Sequence, residues 1–393
     1  MQNATNAVDS ADVVIIGGGV SGLSSAYFLA KAGMDVVVVE KGAIGREASG
    51  RNGGSLSPRA DEPDVIPLAA LAREVWSTLD LELGYPTEFV QKGRLQVALT
   101  EEEVDLVHAM RDNSGEHGIE ARMVDFQEMR NMVPELSGKV LAGIFFPNVG
   151  HANPQRTVQA YAWAFQDRGG RIYQNTSVTG INLRSGRVAS VETTAGVIGA
   201  EVVVSAAGPQ TGMIADMVGL HVPVAPARVE ILATVPLKPR FDMFLSGNGL
   251  YGRQTLRGNL VFGGGAHEWI DVELAGEPPK PNTPLVRNIA RRLAELLPEL
   301  DDLSVLRAWG GVVEQTPDGY PIIDMPGYPE GFVVVTVSGN GFGLSPATGK
   351  TVSQLIVDGN TSVPIERFRL DRFKDLPRGW RRAWGWEPGA YNT

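Results

Sequence analysis

Apolar positions fall along this chain in two rhythms. Val13-Val14-Ile15-Ile16 and Val36-Val37-Val38-Val39 are short, unbroken β-branched runs, the pattern of strands buried on both faces of a parallel sheet. Between them Leu23, Ala26, Tyr27 and Ala30 recur at helical spacing, which predicts a helix from Ser21 to Lys31 with one apolar face. Further along, the spacing predicts helices over 69–83, 101–115 (capped by Thr100), 155–167 and 284–297. It predicts strands over 93–99, 171–173 and 202–208, and a hairpin joining 178–183 to 188–193 through Arg184-Ser185-Gly186-Arg187. Between about 216 and 314 the character changes to alternating strands (229–234, 249–253, 259–263) before the helix at 284. A last buried strand, 331–337, leads through a glycine-rich turn into a helix over 347–357.

The first strand, helix and second strand are joined by Gly17-Gly18-Gly19-Val20-Ser21-Gly22, the spacing G-x-G-x-x-G, and the second strand ends on Glu40. Gly17 permits the tight turn, Gly19 lets a pyrophosphate approach the backbone, and Gly22 lets the helix lie close to the sheet. The helix N-terminus offers unpaired N–H groups and a positive dipole end to phosphates. Glu40 stands where a carboxylate accepts hydrogen bonds from an adenosine ribose, and its charge argues against a 2′-phosphate there. A lone glycine fingerprint is weak; strand, turn, helix, strand and acid in order within one βαβ unit point to a bound dinucleotide. The loop from Lys41 to Ser55 is too long and too rich in Gly and Ser for a connector, and reads as a second cradle. Val202 to Gly208 ends on small residues that let a cofactor lie close. Ser338 to Pro346 is a third glycine-rich turn at a helix N-terminus.

Composition narrows the picture. The 393 residues, 43% hydrophobic and 20% charged, suffice for a large core or two intimate domains. A net charge of −10 disfavours nucleic acid as a partner, and no run reaches the length of a membrane span. The first eleven residues carry neither a basic start nor an apolar signal core, so a cytoplasmic location is expected. There is no cysteine, which removes disulfides, thiolate chemistry and a cysteinyl flavin link together, and the five histidines form no cluster with metal-ligand spacing. The end of the chain is basic and indole-rich (Arg378, Trp380, Arg381, Arg382, Trp384, Trp386). It reads as a segment packing its indoles on the parent domain or a second subunit while the arginines stay wet.

Taken jointly, the dinucleotide unit, Gly150-His151-Ala152-Asn153-Pro154, Val202 to Gly208, Thr316-Pro317-Asp318-Gly319-Tyr320-Pro321 and Gly339 to Gly349 resemble the FAD-dependent D-amino-acid oxidase superfamily. The similarity is to its glycine oxidase and sarcosine oxidase branch. Arg51-Asn52-Gly53-Gly54 and Phe342 to Gly349 look most like the bacterial amine, imino-acid and opine dehydrogenases of that branch. The resemblance implies an α/β protein: a Rossmann-like FAD-binding domain (12–83, 145–215 and 315–376) with an inserted α+β substrate domain of mixed sheet (84–144 and 216–314). Residues 1–11 are then a flexible tail and 377–393 a C-terminal extension.

On the family's pattern Gly17, Gly19, Val20, Ser21 and Gly22 hold the pyrophosphate, and Glu40 with Lys41 flanks the adenosine. Ala48, Ser49, Asn52, Gly53, Gly54 and Ser55 line the middle and the ring system. Val178 contacts the adenine, Ala207 and Gly208 pass beneath the cofactor, and Gly339, Asn340, Gly341, Phe342, Gly343 and Leu344 hold the pyrimidine end of the flavin. The chain also departs from the pattern. Gly311 stands at the flavin-linking cysteine, so FAD is expected to be noncovalent, and Val261 stands at the oxygen-activating lysine, which favours a dehydrogenase. Gly343 and Val313 stand where the branch keeps its carboxylate-binding lysine and arginine, and Asn340 replaces a histidine.

The remaining polar residues offer candidate replacement anchors. Arg59 reads as a carboxylate fork or as an arginine paired with Asp61 or Glu62. Tyr251 and Arg253 share one face of a strand, toward the pocket or away from it. Glu314 reads as facing an amine cation or, better, as half of an interface salt bridge. His151 reads as structural, and His267, after Gly263-Gly264-Gly265, as approaching the pocket or, better, as lying at the surface. The function expected is oxidation of the C–N bond of an amine, imino acid or amino acid by hydride transfer to flavin N5, with hydrolysis of the resulting imine. Electrons would pass to oxygen or another acceptor, and the protein could form a homo-oligomer. The alternatives are a flavoprotein subunit of a larger dehydrogenase complex and a flavin hydroxylase.

Overall fold

The computed structural model describes residues 7–392. Two sheets carry the architecture. In the first, the strand order is Ile322–Asp324, Phe332–Thr336, Gly196–Ser205, β1 (Ala7–Ile16), β2 (Val36–Val39) and Arg171–Tyr173. All neighbours in this row are parallel except Ile322–Asp324, which runs antiparallel to Phe332–Thr336. The hairpin Val178–Arg184/Arg187–Thr193 extends Gly196–Ser205 sideways. The β-branched runs lie side by side, Val13 opposite Val36 and Val202, and are almost wholly buried on both faces.

Helix α1 (Val20–Lys31) packs on this sheet and against the closing helix Gly341–Val357. The contact is close enough that a Cβ on Gly349 would lie 2.5 Å from the backbone carbon of Ser24. The closing helix begins at Gly341, six residues before the expected Ala347. Pro346 cannot donate to the carbonyl of Phe342, which by position it should; the Ser345 hydroxyl donates there instead, at 2.9 Å. The helix therefore runs through its proline.

Other expectations are corrected locally. Residues 7–11 are not a flexible tail: they pair with 197–200, and Asp9 accepts from the Tyr173 hydroxyl at 2.8 Å. Residues 1–6 lie outside the described residues. The single helix expected over 69–83 is two, Ile66–Trp76 and Leu79–Leu83, separated where Thr78 leaves the helical region (φ −121°). The loop 41–55 contains a helical turn, Ala48–Arg51, and ends in the strand Ser55–Leu56, paired with Gly150–His151.

The second sheet has ten strands, nearly all antiparallel. Ala225–Pro236 is central and pairs along its length with Val305–Gln315, a strand absent from the sequence reading. Leu250–Gln254, Phe244–Gly247 and Arg94–Ala98 continue the sheet outward. Helix Thr283–Leu296, capped by the Asn282 side chain on the Leu285 amide, buries Leu285, Ile289, Leu293 and Leu296. At the chain end Trp380 is buried, Trp386 stacks on Trp269 with ring centroids 4.1 Å apart, and Tyr391–Asn392 adds an edge strand to His267–Trp269. The indoles thus pack on the parent sheet. Among the described residues no helix is long and apolar enough to cross a membrane.

Two glycine-to-alanine changes should move stability in opposite directions. Gly349→Ala forces a methyl against the backbone of α1 and should destabilise by about 1–3 kcal/mol. Gly115→Ala, in an exposed helix with open space around it, should stabilise by about 0.5–1 kcal/mol. Thermal unfolding midpoints of the two variants check this; equal shifts of the same sign would contradict the packing described.

Candidate active site

The turn after β1 is set by steric necessity. A Cβ on Gly17, which adopts φ +115°, would lie 2.3 Å from the carbonyl oxygen of Ala206, and one on Gly22 would lie 2.0 Å from that of Gly17. Only glycine lets β1, the turn and α1 approach so closely. The Gly18 amide donates to Glu40 Oε2 at 2.7 Å, and the Gly42 amide to Glu40 Oε1 at 2.8 Å. The Val20 amide donates to Ser49 Oγ at 2.9 Å, tying loop 41–55 to the start of α1. The amides of Gly19, Ser21 and Gly22 meet no acceptor among the described residues, so α1 presents free donors and its positive end to one place.

That place is a long cavity. Its walls include Gly17, Gly19, Val20, Ser21, Glu40 and Lys41 at one end, Ala48, Ser49 and Asn52 along the middle, and Val178, Ala207 and Gly208 from the strand ends. Gly339, Gly341 and Phe342 meet them from the closing helix. A second cavity of about 510 Å³ opens beyond it, sharing Asn52, Val313, Gly339 and Phe342 with the first. Its walls include Gly53, Ser55, Asn340, Gly343 and Leu344. Gly22 and Gly54 line neither. Gly22 stands behind its turn, and a Cβ on Gly54 would lie 2.1 Å from the carbonyl oxygen of Ala152. The long cavity fits a dinucleotide on two counts: the start of α1 brings it amides without acceptors, and a side chain on Gly17 would strike backbone while ones on Gly339 and Gly341 would crowd Gln315 and Val337. The residues expected at FAD thus converge, although three segments far apart in sequence supply them.

Asn52 does more than line a wall. Its Nδ2 donates to the carbonyls of Ala48 and Ser49, and its Oδ1 accepts from the Gly54 amide at 2.8 Å, so it shapes the turn that separates the cavities. Trp76 is 1% exposed, as a core residue should be, yet its Nε1 also donates to the Gly343 carbonyl at 2.9 Å and braces the last glycine turn.

The candidate substrate residues divide. Arg59, Tyr251 and Asn340 line the second cavity. Arg59 meets both of its readings: it borders the cavity, but it is paired with Glu62, lies 3.7 Å from Asp61 and donates to Asn340 Oδ1 at 2.9 Å. Tyr251 faces the cavity beneath Gly53, and burial pushes its phenol up, so it remains a donor. Arg253 points to the same turn but does not line the cavity; its Nε donates to the Gly53 carbonyl at 2.9 Å, and burial lowers it to about 10. Among the described residues Glu314 has no salt-bridge partner. It borders the first cavity and accepts from Thr336 Oγ1 at 2.9 Å and the Val337 amide at 3.1 Å. Burial raises its carboxyl because no cation approaches to offset the desolvation.

His151 is buried in its short strand, contacts the Asp242 carbonyl at 3.1 Å and is pulled down to about 4 by burial and by the Arg253 charge. His267 is not a surface residue: it is half-buried in the wall of the second cavity, lowered by burial, with its ring edge-on to Trp269. Arg94 is the cavity residue that sequence reasoning missed. An arginine beginning a strand after Gly93 carries no local signal of a pocket. Among the described residues no group of acids and histidines could hold a metal ion.

The chain is similar to known proteins over most of its length. A family model described as "FAD dependent oxidoreductase" (DAO) matches residues 12–355. The chain is 31% identical over 373 residues to sarcosine oxidase subunit beta of Rhizobium meliloti (strain 1021), covering 92% of this chain and 88% of that one. It is 30% identical to glycine oxidase of Geobacillus kaustophilus (strain HTA426), covering 92% and 97%. Among solved structures, glycine oxidase from Geobacillus kaustophilus superposes with TM-score 0.87 at 27% identity over 93% of this chain and 99% of that one. L-proline dehydrogenase from P. horikoshii gives 0.86 at 26% identity over 93% and 98%.

The Glu314 environment generates a pH dependence. With its folded-state pKa raised, the group favours the folded protein at low pH, and that contribution is lost as pH rises through the folded pKa. Glu314→Gln keeps the acceptor for Thr336 and Val337 without the charge. It should raise the unfolding midpoint relative to wild type at pH 8, with the advantage shrinking toward pH 4. A difference that is constant with pH would mean the carboxyl is not desolvated.

Proposed function

The chain belongs to the DAO family of FAD-dependent oxidoreductases, and on that premise we propose that it oxidises the carbon–nitrogen bond of an amine, imino acid or amino acid, with FAD held noncovalently. The observation that carries this reading is the meeting of two helix N-termini, those of α1 and the closing helix, in one groove that opens on a separate cavity. When bound, FAD supplies the acceptor for a hydride from the carbon next to nitrogen, and water hydrolyses the imine that remains.

The protein supplies position and electrostatics. The free amides of α1 would hold the pyrophosphate, and Glu40 and Lys41 would border the adenosine. The turn Gly339 to Leu344 would offer N–H groups and a helix dipole to the edge of the flavin where negative charge develops. Segments 12–83, 145–215 and 315–376 would carry the cofactor, while 84–144 and 216–314 would close over the substrate. Among the described residues Glu62 is the glutamate that lines the second cavity, and it is ion-paired with Arg59; Glu40, Glu47 and Glu314 border only the first. This supports binding of the amine in its neutral form, ready to lose hydride without a dedicated base.

Val261, the uncharged residue that stands at the position of the branch's oxygen-activating lysine, packs in an apolar cluster with Ile231, Ala233 and Trp309. A dehydrogenase passing electrons to an acceptor other than oxygen follows from that reading. The relatives include proteins that are beta subunits by name, so assembly with other chains, or with a second copy, belongs to the same proposal, as does a cytoplasmic location.

The test is anaerobic titration of the purified yellow protein with a panel of simple amines, imino acids, opines and D- and L-amino acids. At least one class should bleach the flavin, and admitting air should restore the colour slowly. A colourless protein that cannot be reconstituted with FAD, or a flavin that nothing in the panel reduces, would end the proposal; rapid recovery in air would reject the dehydrogenase half. Gly22→Ala, whose methyl meets the Gly17 carbonyl, should hold flavin roughly ten- to a hundredfold more weakly, from a clash worth about 1–3 kcal/mol. The ratio of flavin to protein absorbance reads this directly.

A further inference from the structure

Two guanidinium groups line the second cavity, and their circumstances differ. Arg59 is committed: Glu62 pairs with it, Asp61 lies 3.7 Å away, and Asn340 takes a further N–H. Its charge is balanced by carboxylates within its own turn. Arg94 opens the strand Arg94–Ala98 of the second sheet and has no such partner. Its Nη1 lies 3.4 Å from Ser55 Oγ and its Nη2 3.3 Å from Gln96 Oε1, both beyond the ordinary N–H···O range of about 2.7–3.2 Å. The ring of Phe244 lies 5.7 Å from its guanidinium carbon. Among the described residues no carboxylate oxygen comes within 4.0 Å of it.

A guanidinium removed from water without an anion is costly, because neutral hydroxyl and amide oxygens do not replace its hydration. Burial pulls Arg94 down to about 10, against the opposing field of Asp61, so it is still charged at neutral pH. Around it the cavity offers the phenol of Tyr251, the ring of His267 lowered by burial, and uncharged Val313, Gly343 and Leu344. The cavity therefore presents an unpaired cation with an unused planar fork, and no carboxylate left over to compete for it. A planar two-oxygen anion is the complement.

We propose that Arg94 receives the carboxylate of the substrate, so that this chain takes an amino or imino acid rather than an amine lacking a carboxylate. The assignment rests on the C–N oxidation reading for the reaction, but the cation itself is a binding site that can be read without turnover.

Flavin-loaded protein is titrated with propionate and with propionamide while the flavin spectrum is followed, and calorimetry checks the binding. Propionate should bind and propionamide should not. Arg94→Met should weaken propionate roughly thirtyfold or more, the loss expected when one partner of a buried charge pair is removed. Arg94→Lys, which keeps the charge without the fork, should fall between. If Arg94→Met does not fold, the comparison of Arg94→Lys with wild type decides. Unchanged propionate binding in the variants overturns the assignment, as does its loss on Arg59→Gln with Arg94→Met unaffected. Bleaching by propylamine as readily as by 2-aminobutyrate also overturns it, while C–N oxidation stands. No bleaching by any amine, with propionate binding still dependent on Arg94, keeps the anion site and removes the reaction.

Discussion

One buried carboxylate holds the cofactor end of this protein together. Glu40 directly follows β2, and its two oxygens accept from the amides of Gly18 and Gly42, one before it in the chain and one after. Its own amide donates to the Tyr173 carbonyl, and its carbonyl accepts from the Thr176 amide. Four segments therefore meet at one residue: the glycine turn, the start of loop 41–55, the end of the outer strand and the entry to the hairpin. Charge-assisted hydrogen bonds to backbone amides are stronger than neutral ones and are here shielded from water. Because both oxygens are already engaged by backbone, Glu40 sets the shape of this end of the cavity by itself, and its remaining lone pairs stay open to a hydroxyl donor.

The same economy recurs around the second cavity, where polar side chains hold backbone in place. Asn52 fixes the turn before Gly54, Arg253 holds the Gly53 carbonyl, Trp76 holds that of Gly343, and Trp309 donates to the carbonyl of Arg51. These braces come from the second sheet, from a helix and from the loop itself, and they fix loop backbone that has no regular ladder of its own. Against this background Arg94 stands apart, since it lines the cavity and braces nothing at short range.

What was legible in the sequence follows from where the information lies. The βαβ unit could be read because its causes are local: β-branched runs, a helical stripe and glycines at fixed spacing. The strand Val305–Gln315 could not, because its opening residues are exposed, it contains Gly310-Gly311, and its register comes from pairing with Ala225–Pro236, some eighty positions away. The early start of the closing helix was hidden by Pro346, whose missing donor is replaced by the neighbouring Ser345 hydroxyl. Glu314 was misread because its partners, Thr336 and Val337, become neighbours only when Phe332–Thr336 joins the first sheet. Arg94 was passed over for the same reason: the pocket around it is made of residues the chain brings together only on folding.

The last described residues have an unexpected reach. Tyr391–Asn392 adds an edge to His267–Trp269, Trp386 lies flat on Trp269, and Arg381 meets Asp271 at 2.8 Å and the Ile270 carbonyl at 3.1 Å. His267, one end of that short strand, is a wall of the second cavity. Residues 380–392 are thus a clasp fastened across the back of that chamber, so a change in the clasp reaches the cavity wall through one short strand.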